Sequence, residues 1–143
     1  MKNLNIYLSF DGNCLEAFGF YKTVFGGDFA FTQKYGDLPS IPGMPALSPD
    51  DKEKIENICL PLDDGMILMG SDTLEAFGQK LVTGNNFTIY LEAESMEEAE
   101  RVFNGLSTQG IIKMPFARAH WGDHFGMLTD KYDINWSVNF SKI

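Results

Sequence analysis

The only two histidines, His120 and His124, stand four residues apart around Trp121-Gly122-Asp123. On a helix that spacing would present two imidazoles on one face, as a metal pair requires. An imidazole is also the side chain that changes charge nearest neutral pH, so either ring is a candidate proton carrier. Gly122 and the strand-like flanks argue against a helix here, and no third strong ligand is evident in the sequence. Three readings stay open: histidines of a rim strand, exposed or hydrogen-bonded; polar groups at a pocket mouth; or a metal pair. Asp123 beside His124 can raise that imidazole's pKa if the two touch. The rings of Trp121 and Phe125 suit stacking on a planar ligand, and equally a core or a subunit interface.

Other chemistries find little footing. No GxSxG elbow, P-loop or HExxH occurs. Cys14 falls in the first turn of an expected helix, where a thiolate is stabilised, but no base is placed to activate it. Cys14 and Cys59 form no CxxC and are expected to be buried, reduced thiols. A net charge of −9, from 20 acids against 11 bases, excludes a phosphate-backbone partner, which needs clustered Lys and Arg. No apolar run reaches the roughly 18 residues that span a bilayer, and the first ten residues do not form a signal peptide, so a cytoplasmic protein without a membrane partner is expected.

The chemistry-bearing residues need elements to hold them. Residues 4–10 alternate, with Ile6, Leu8 and Phe10 pointing one way and Asn5, Tyr7 and Ser9 the other. Asn13 and Glu16 read as a capping box, followed by a helix with Leu15, Phe18, Tyr21, Val24 and Phe25 at helical spacing, ended by Gly26-Gly27. A strand over 28–34 follows. Four prolines and two glycines between Tyr35 and Lys54 predict a long mobile loop without regular structure. Strands over 55–61 and 65–71 turn at Asp63-Asp64-Gly65.

The order then repeats. A strand over 86–92 precedes a second capping box, Ser95 and Glu98, and a helix burying Met96, Ala99, Val102, Phe103 and Leu106. Gly110 ends it, and strands are expected over 111–117, 122–129 and 134–140. Asn5 with Thr88 (88 − 5 = 83), Phe20 with Phe103 (103 − 20 = 83) and Gly27 with Gly110 (110 − 27 = 83) share one register. The chain is therefore read as α+β: one domain, residues 1–143, built from two βαβββ modules of about 1–80 and 84–143. Each supplies an antiparallel four-stranded piece too small to fold alone.

Two segments carry a resemblance. Phe10, Gly12, Asn13, Glu16, Ala17, Phe20, Tyr21 and Gly26 fit F-x-G-N-x-x-E-A-x-x-F-Y with its trailing glycine. Trp121, Gly122, Asp123, Gly126, Asp130 and Trp136 fit W-G-D-x-x-G-x-x-x-D-P-F-G-x-x-W. Together with the doubled unit they resemble the PhnB-like branch of the vicinal oxygen chelate (glyoxalase/bleomycin-resistance/dioxygenase) superfamily over nearly the whole chain. One turn departs: the usual D-P-F-G is Asp130-Lys131-Tyr132-Asp133, losing the proline and the glycine. Asp tolerates a left-handed backbone better than most residues, so the turn is expected to survive but to be looser.

The resemblance implies two modules whose mixed sheets curl into a cup, helices outside, ligand inside, usually in a homodimer. It also carries over four metal positions, one on the first and last strand of each module: Asn5, Met69, Thr88 and Ser137. None is His, Glu or Asp, so a divalent metal is disfavoured and no cofactor is expected. An old methyltransferase label in this group finds no support, since no strand leads through a glycine-rich turn into a helix.

Alternation agrees with this reading. One face carries Asn5, Tyr7, Ser9, Thr88, Tyr90, Glu92, Asn135, Ser137 and Asn139 and is polar but almost uncharged. It is either a solvated sheet surface or the wet lining of the cup. Candidate ligand contacts are Asn5, Tyr7, Met69, Thr88, Tyr90, Glu92, His120, Trp121, His124 and Ser137. The favoured function is a non-catalytic or weakly catalytic small-molecule binder, its amides and hydroxyls suited to a neutral or mildly polar ligand and its acidic surface attractive to cations. The alternatives are an enzyme, with or without a metal, and an interaction module using the loop 35–54.

Overall fold

The computed structural model describes residues 1–142, and each half of the chain runs strand, helix, strand, strand, strand. The first half holds β1 (Ile6–Phe10), α1 (Cys14–Phe25), β2 (Phe31–Lys34), a short α2 (Pro49–Glu53), β3 (Ile55–Pro61) and β4 (Ile67–Asp72). The second holds β5 (Ile89–Glu92), α3 (Met96–Ser107), β6 (Ile111–Arg118), β7 (His124–Thr129) and β8 (Asn135–Phe140). Contacts divide the chain into two units that meet between Val82 and Thr83 in sequence. The α+β class and the doubled βαβββ order are those the sequence predicts.

Within each unit the last strand lies beside the first, giving the orders β1-β4-β3-β2 and β5-β8-β7-β6. The first and last strands run parallel, with Ile6 opposite Leu68 and Ile89 opposite Trp136. All other pairings are antiparallel. The purely antiparallel pieces expected from the strand spacing are therefore mixed sheets. Parallel neighbours need a long crossover, and here the helix and the two intervening strands supply it.

Alternation sets the core. Leu8, Phe10, Leu68, Ile58 and Leu60 are buried under α1, and Ile89, Trp136, Val138 and Leu128 under α3. Helix α1 buries Cys14, Ala17, Phe18, Tyr21 and Val24, whereas Leu15, expected in that stripe, is 47% exposed. Phe18, Tyr21 and Val24 stand in the stripe as expected, and Cys14 and Ala17 rather than Leu15 open it. Gly70 permits the approach of α1, because a Cβ there would sit 2.5 Å from the Phe18 ring. Gly126 does the same for α3, where a Cβ would lie 2.6 Å from Phe103.

The two helices begin differently. Ser95 accepts a hydrogen bond from the Glu98 N–H at 3.1 Å, as its capping pattern predicts. Asn13 makes no such bond, and its backbone (φ −113°, ψ 21°) is not the extended form from which a cap side chain reaches the first turn. Asp72, at the end of β4, takes its place. Its Oδ1 accepts from Gly12 N–H at 2.9 Å and Cys14 N–H at 3.0 Å, and its Oδ2 from Ile55 N–H at 2.8 Å. One buried carboxylate thus ties α1, β3 and β4 together.

The segment 35–54 also departs from expectation. Tyr35 opens it with a single 3-10 turn, is only 6% exposed, and donates its hydroxyl to the Asp72 carbonyl at 2.7 Å. Ser48 caps α2 by accepting from Asp51 N–H at 3.0 Å, and Pro49 stands where a helix tolerates proline. Prolines punctuate the segment but do not prevent regular turns.

Asp72→Asn should cost about 2–4 kcal/mol in urea denaturation, because an amide nitrogen would face the Ile55 N–H that a carboxylate oxygen now serves. A loss below about 0.5 kcal/mol would remove Asp72 from this role.

Candidate functional site

The face of the second sheet turned away from α3 carries the polar groups. On β8, Asn135, Ser137 and Asn139 alternate with the buried Trp136 and Val138. Tyr90 and Glu92 of β5 lie opposite Ser137 and Asn139 on one side, and Met127 and Phe125 of β7 lie opposite the same two residues on the other. Thr88 precedes β5 by one residue on the same face.

Asn139 is the centre of this face. It is 2% exposed, and its amide nitrogen donates to both oxygens of Glu92 at 3.2 and 3.0 Å and to Asp123 Oδ2 at 3.1 Å. The Tyr90 hydroxyl donates to Glu92 Oε2 at 2.9 Å. Two carboxylates therefore converge on one neutral amide and one phenol. Among the described residues neither carboxylate forms an ion pair. Asp123 reaches this position from the β6–β7 turn, which closes through Ala119 N–H to the Asp123 carbonyl at 2.7 Å and passes Gly122 at φ +102°. Only glycine enters that backbone region without strain.

Aromatic rings flank the carboxylates. The half-exposed Trp121 meets Phe125 edge-on at 5.4 Å, and the His120 ring packs edge-on against Trp121 at 4.9 Å. His124 alternates to the other face. It shares that side with Gly126 and Leu128, and its ring lies 6.0 Å from Phe116, which itself stacks on Phe103 of α3. The turn thus sends the two imidazoles in different directions. Among the described residues no three His, Cys, Asp or Glu side chains gather so as to hold a metal ion.

In the first unit, Tyr7 lies opposite Met69 on the face of β1 and β4 turned away from α1, with Cys59 of β3 beside Met69. Asn5 precedes β1 on that face. Tyr7 is 52% exposed. The four positions of the superfamily's metal ligands are thus an amide, a thioether and two hydroxyls, a donor set that does not fit a tightly held divalent metal. Cys14 lies on the helix side, fully buried. Burial pushes its thiol up, and the charge of Asp72 pushes it further, so it stays protonated.

Sequence reasoning named Tyr90, Glu92, Trp121 and Ser137 as ligand contacts and Phe125 as a ring suited to stacking, but not Asn139 or Asp123. Asn139 already stood on the polar face by alternation. Nothing in the sequence signalled that a turn would bring Asp123 to it from 16 positions away.

None of the protein-family models compared matches the chain. The curated protein YjdN of Escherichia coli (strain K12) is 30% identical over 146 residues, spanning 97% of this chain and 95% of YjdN. The chain belongs to the PhnB-like branch of the vicinal oxygen chelate superfamily. The crystal structure of protein PA1353 from Pseudomonas aeruginosa is 34% identical with a TM-score of 0.81, covering 97% of this chain and 98% of that one. A PhnB protein from Bacillus cereus shares the fold at 23% identity and a TM-score of 0.76, covering 98% of this chain and all of that one. The residues by which this PhnB-like chain resembles the family have physical roles. Asp130 Oδ1 accepts from Tyr132 and Ile134 N–H, and its Oδ2 from the Trp136 indole at 2.8 Å. Asp133, standing for the usual glycine, takes φ +68°.

Partial burial, and after it the bond to Glu92 and the negative charges of Glu92 and Asp123, push the Tyr90 phenol up to about 12. Burial likewise raises Tyr35 to about 12, with Glu56 next in effect. A raised phenol pKa stabilises the folded state fully below the ordinary value of 10.0 and loses that contribution as pH climbs towards 12. In a phenolate absorbance titration, Tyr35 and Tyr90 should ionise near pH 12, and Tyr90→Phe should reduce that late amplitude. An unchanged late amplitude in that variant would disconnect Tyr90 from Glu92.

Proposed function

We propose that this protein binds a small organic cation on the open face of its second sheet and that the site works without a divalent metal. The observation that carries the reading is the pair Glu92 and Asp123, both bonded to the buried Asn139 amide and left without a cationic partner among the described residues. Two carboxylates a few ångströms apart repel one another. An ammonium or guanidinium group seated between them relieves that repulsion and fills acceptor positions that the single amide cannot. Trp121 and Phe125 stand beside the carboxylates, and aromatic faces attract cations by about 0.5–2 kcal/mol. The net charge of −9 raises the local concentration of such a ligand.

The remaining candidates take supporting roles. Tyr90 orients Glu92, while Ser137 and Thr88 offer hydroxyls farther along the strands. His120 positions Trp121 through its ring contact. Asn5, Tyr7 and Met69 form the corresponding face of the first module and offer it neutral donors and soft surface. His124, on the helix side of the sheet, is outside the proposed ligand contacts. A homodimeric, cytoplasmic protein of one domain in two modules is part of the same proposal. No helix among the described residues is long and apolar enough to cross a membrane.

The test is a melting scan with agmatine, choline and spermidine against uncharged isosteres, run beside Zn²⁺, Ni²⁺, Mn²⁺ and Fe²⁺ with and without chelator. A cation at a hundredfold over its dissociation constant should add about 2.7 kcal/mol. Glu92→Gln and Asp123→Asn should each weaken binding by about tenfold. Stabilisation by a metal that is lost on replacing His120 or His124 would overturn the proposal, as would equal binding of the uncharged isosteres.

A further inference from the structure

The loop between β2 and β3 encloses a cleft of about 460 Å³ that shares no residue with the Glu92–Asn139 group. Its size falls within the range of small-molecule sites. Leu38, Met44 and Leu47 are half-buried around it and Ile41 is 57% exposed, so this apolar surface is drawn together without being filled. The frame is ordered. Tyr35 anchors one end through Asp72, and turns close from Leu38 N–H to the Tyr35 carbonyl and from Met44 N–H to the Ile41 carbonyl. Gly36 packs so closely on α2 that a Cβ would lie 2.8 Å from the Lys52 carbonyl. Prolines within the lining reduce the freedom the loop loses on ordering.

Lys52 is the one charged residue in that lining. Of the neighbouring acids, Glu53 is taken by Lys34 at 2.7 Å, and Asp51 and Asp50 by Lys54 at 3.1 and 3.9 Å, while the exposed Asp37 acts on Lys34 through its charge. No hydrogen bond or ion pair engages the Lys52 ammonium among the described residues. A cleft lined about equally by apolar carbon and polar groups, with a single unpaired cation, matches a ligand with an apolar body and a single negative end. We propose that the loop 35–52 is a second binding site, taking a compact hydrophobic carboxylate with its body among Leu38, Ile41, Met44 and Leu47 and its anion on Lys52.

The experiment titrates 4-phenylbutyrate, and separately its neutral amide, into the ¹⁵N-labelled full chain, and repeats both on Lys52→Gln. Saturable shifts confined to residues 35–52 are expected, with the acid binding more tightly than the amide. Lys52→Gln should weaken the acid by about fivefold, the size of an exposed charge contact, and leave the amide unchanged. Acid and amide binding equally would overturn the proposal, as would shifts centred on residues 88–92 and 135–139, or no saturation. The comparison of acid with amide on the unaltered protein decides the point even if the variant proves unstable.

Discussion

Each module is held shut by one buried aspartate. Asp72, 1% exposed, gathers the N–H groups of Gly12, Cys14 and Ile55, and Asp130, 3% exposed, gathers those of Tyr132, Ile134 and the Trp136 indole. A buried carboxylate is tolerable only when its oxygens are met by donors, and all the donors here but the Trp136 indole are backbone groups, most of them at a helix start or a tight turn where they would otherwise be orphans. The two costs offset one another. In the first module this fixes where α1 begins relative to β4, and so where Phe18 meets Gly70. In the second it closes the β7–β8 turn and sets the depth of Trp136, from which the alternation of β8 follows. The polar row Asn135, Ser137 and Asn139 faces away from the helix because Trp136 and Val138 face it.

That division of faces explains why the candidate site is a sheet surface rather than a loop. A site on strands inherits the rigidity of the ladder, with Tyr90 and Glu92 held at fixed distances from Ser137 and Asn139. Asp123 is the exception, delivered by a turn whose glycine takes a positive φ.

Much of this was legible beforehand, and the reason is periodicity. The two-residue alternation of LNIYLSF, NFTIYLE and INWSVNF separates core from polar face without knowledge of any partner, and the register between the halves reveals the doubled unit. The misses have a common physical origin in distance along the chain. Asn13 looked like a cap, but the cap comes from Asp72, 58 positions beyond Cys14. The prolines of 35–54 suggested a long mobile loop, while Tyr35 is anchored on the Asp72 carbonyl 37 positions away. The spacing of His120 and His124 left a metal pair open beside the rim-strand reading, and the turn at Gly122 separates their faces. Local propensity and pattern are visible in a sequence, whereas the carboxylate that answers a distant N–H is not.

The parallel pairing of first and last strands also bears on how the chain is made. During synthesis β1 emerges with one edge and no neighbour, because its partner β4 is the last strand of the module to leave the ribosome. Gly12 and Asp72, 60 positions apart, mark the length of chain that must be present before the first module can close. Until then the apolar side of β1 has no neighbouring strand and α1 has only the β2–β3 pair to cover, and such surfaces invite chaperones or aggregation. The second module repeats the wait with β5 and β8. A chain of this design is therefore translated in two long, exposed intervals, each ended by one strand arriving to complete a sheet.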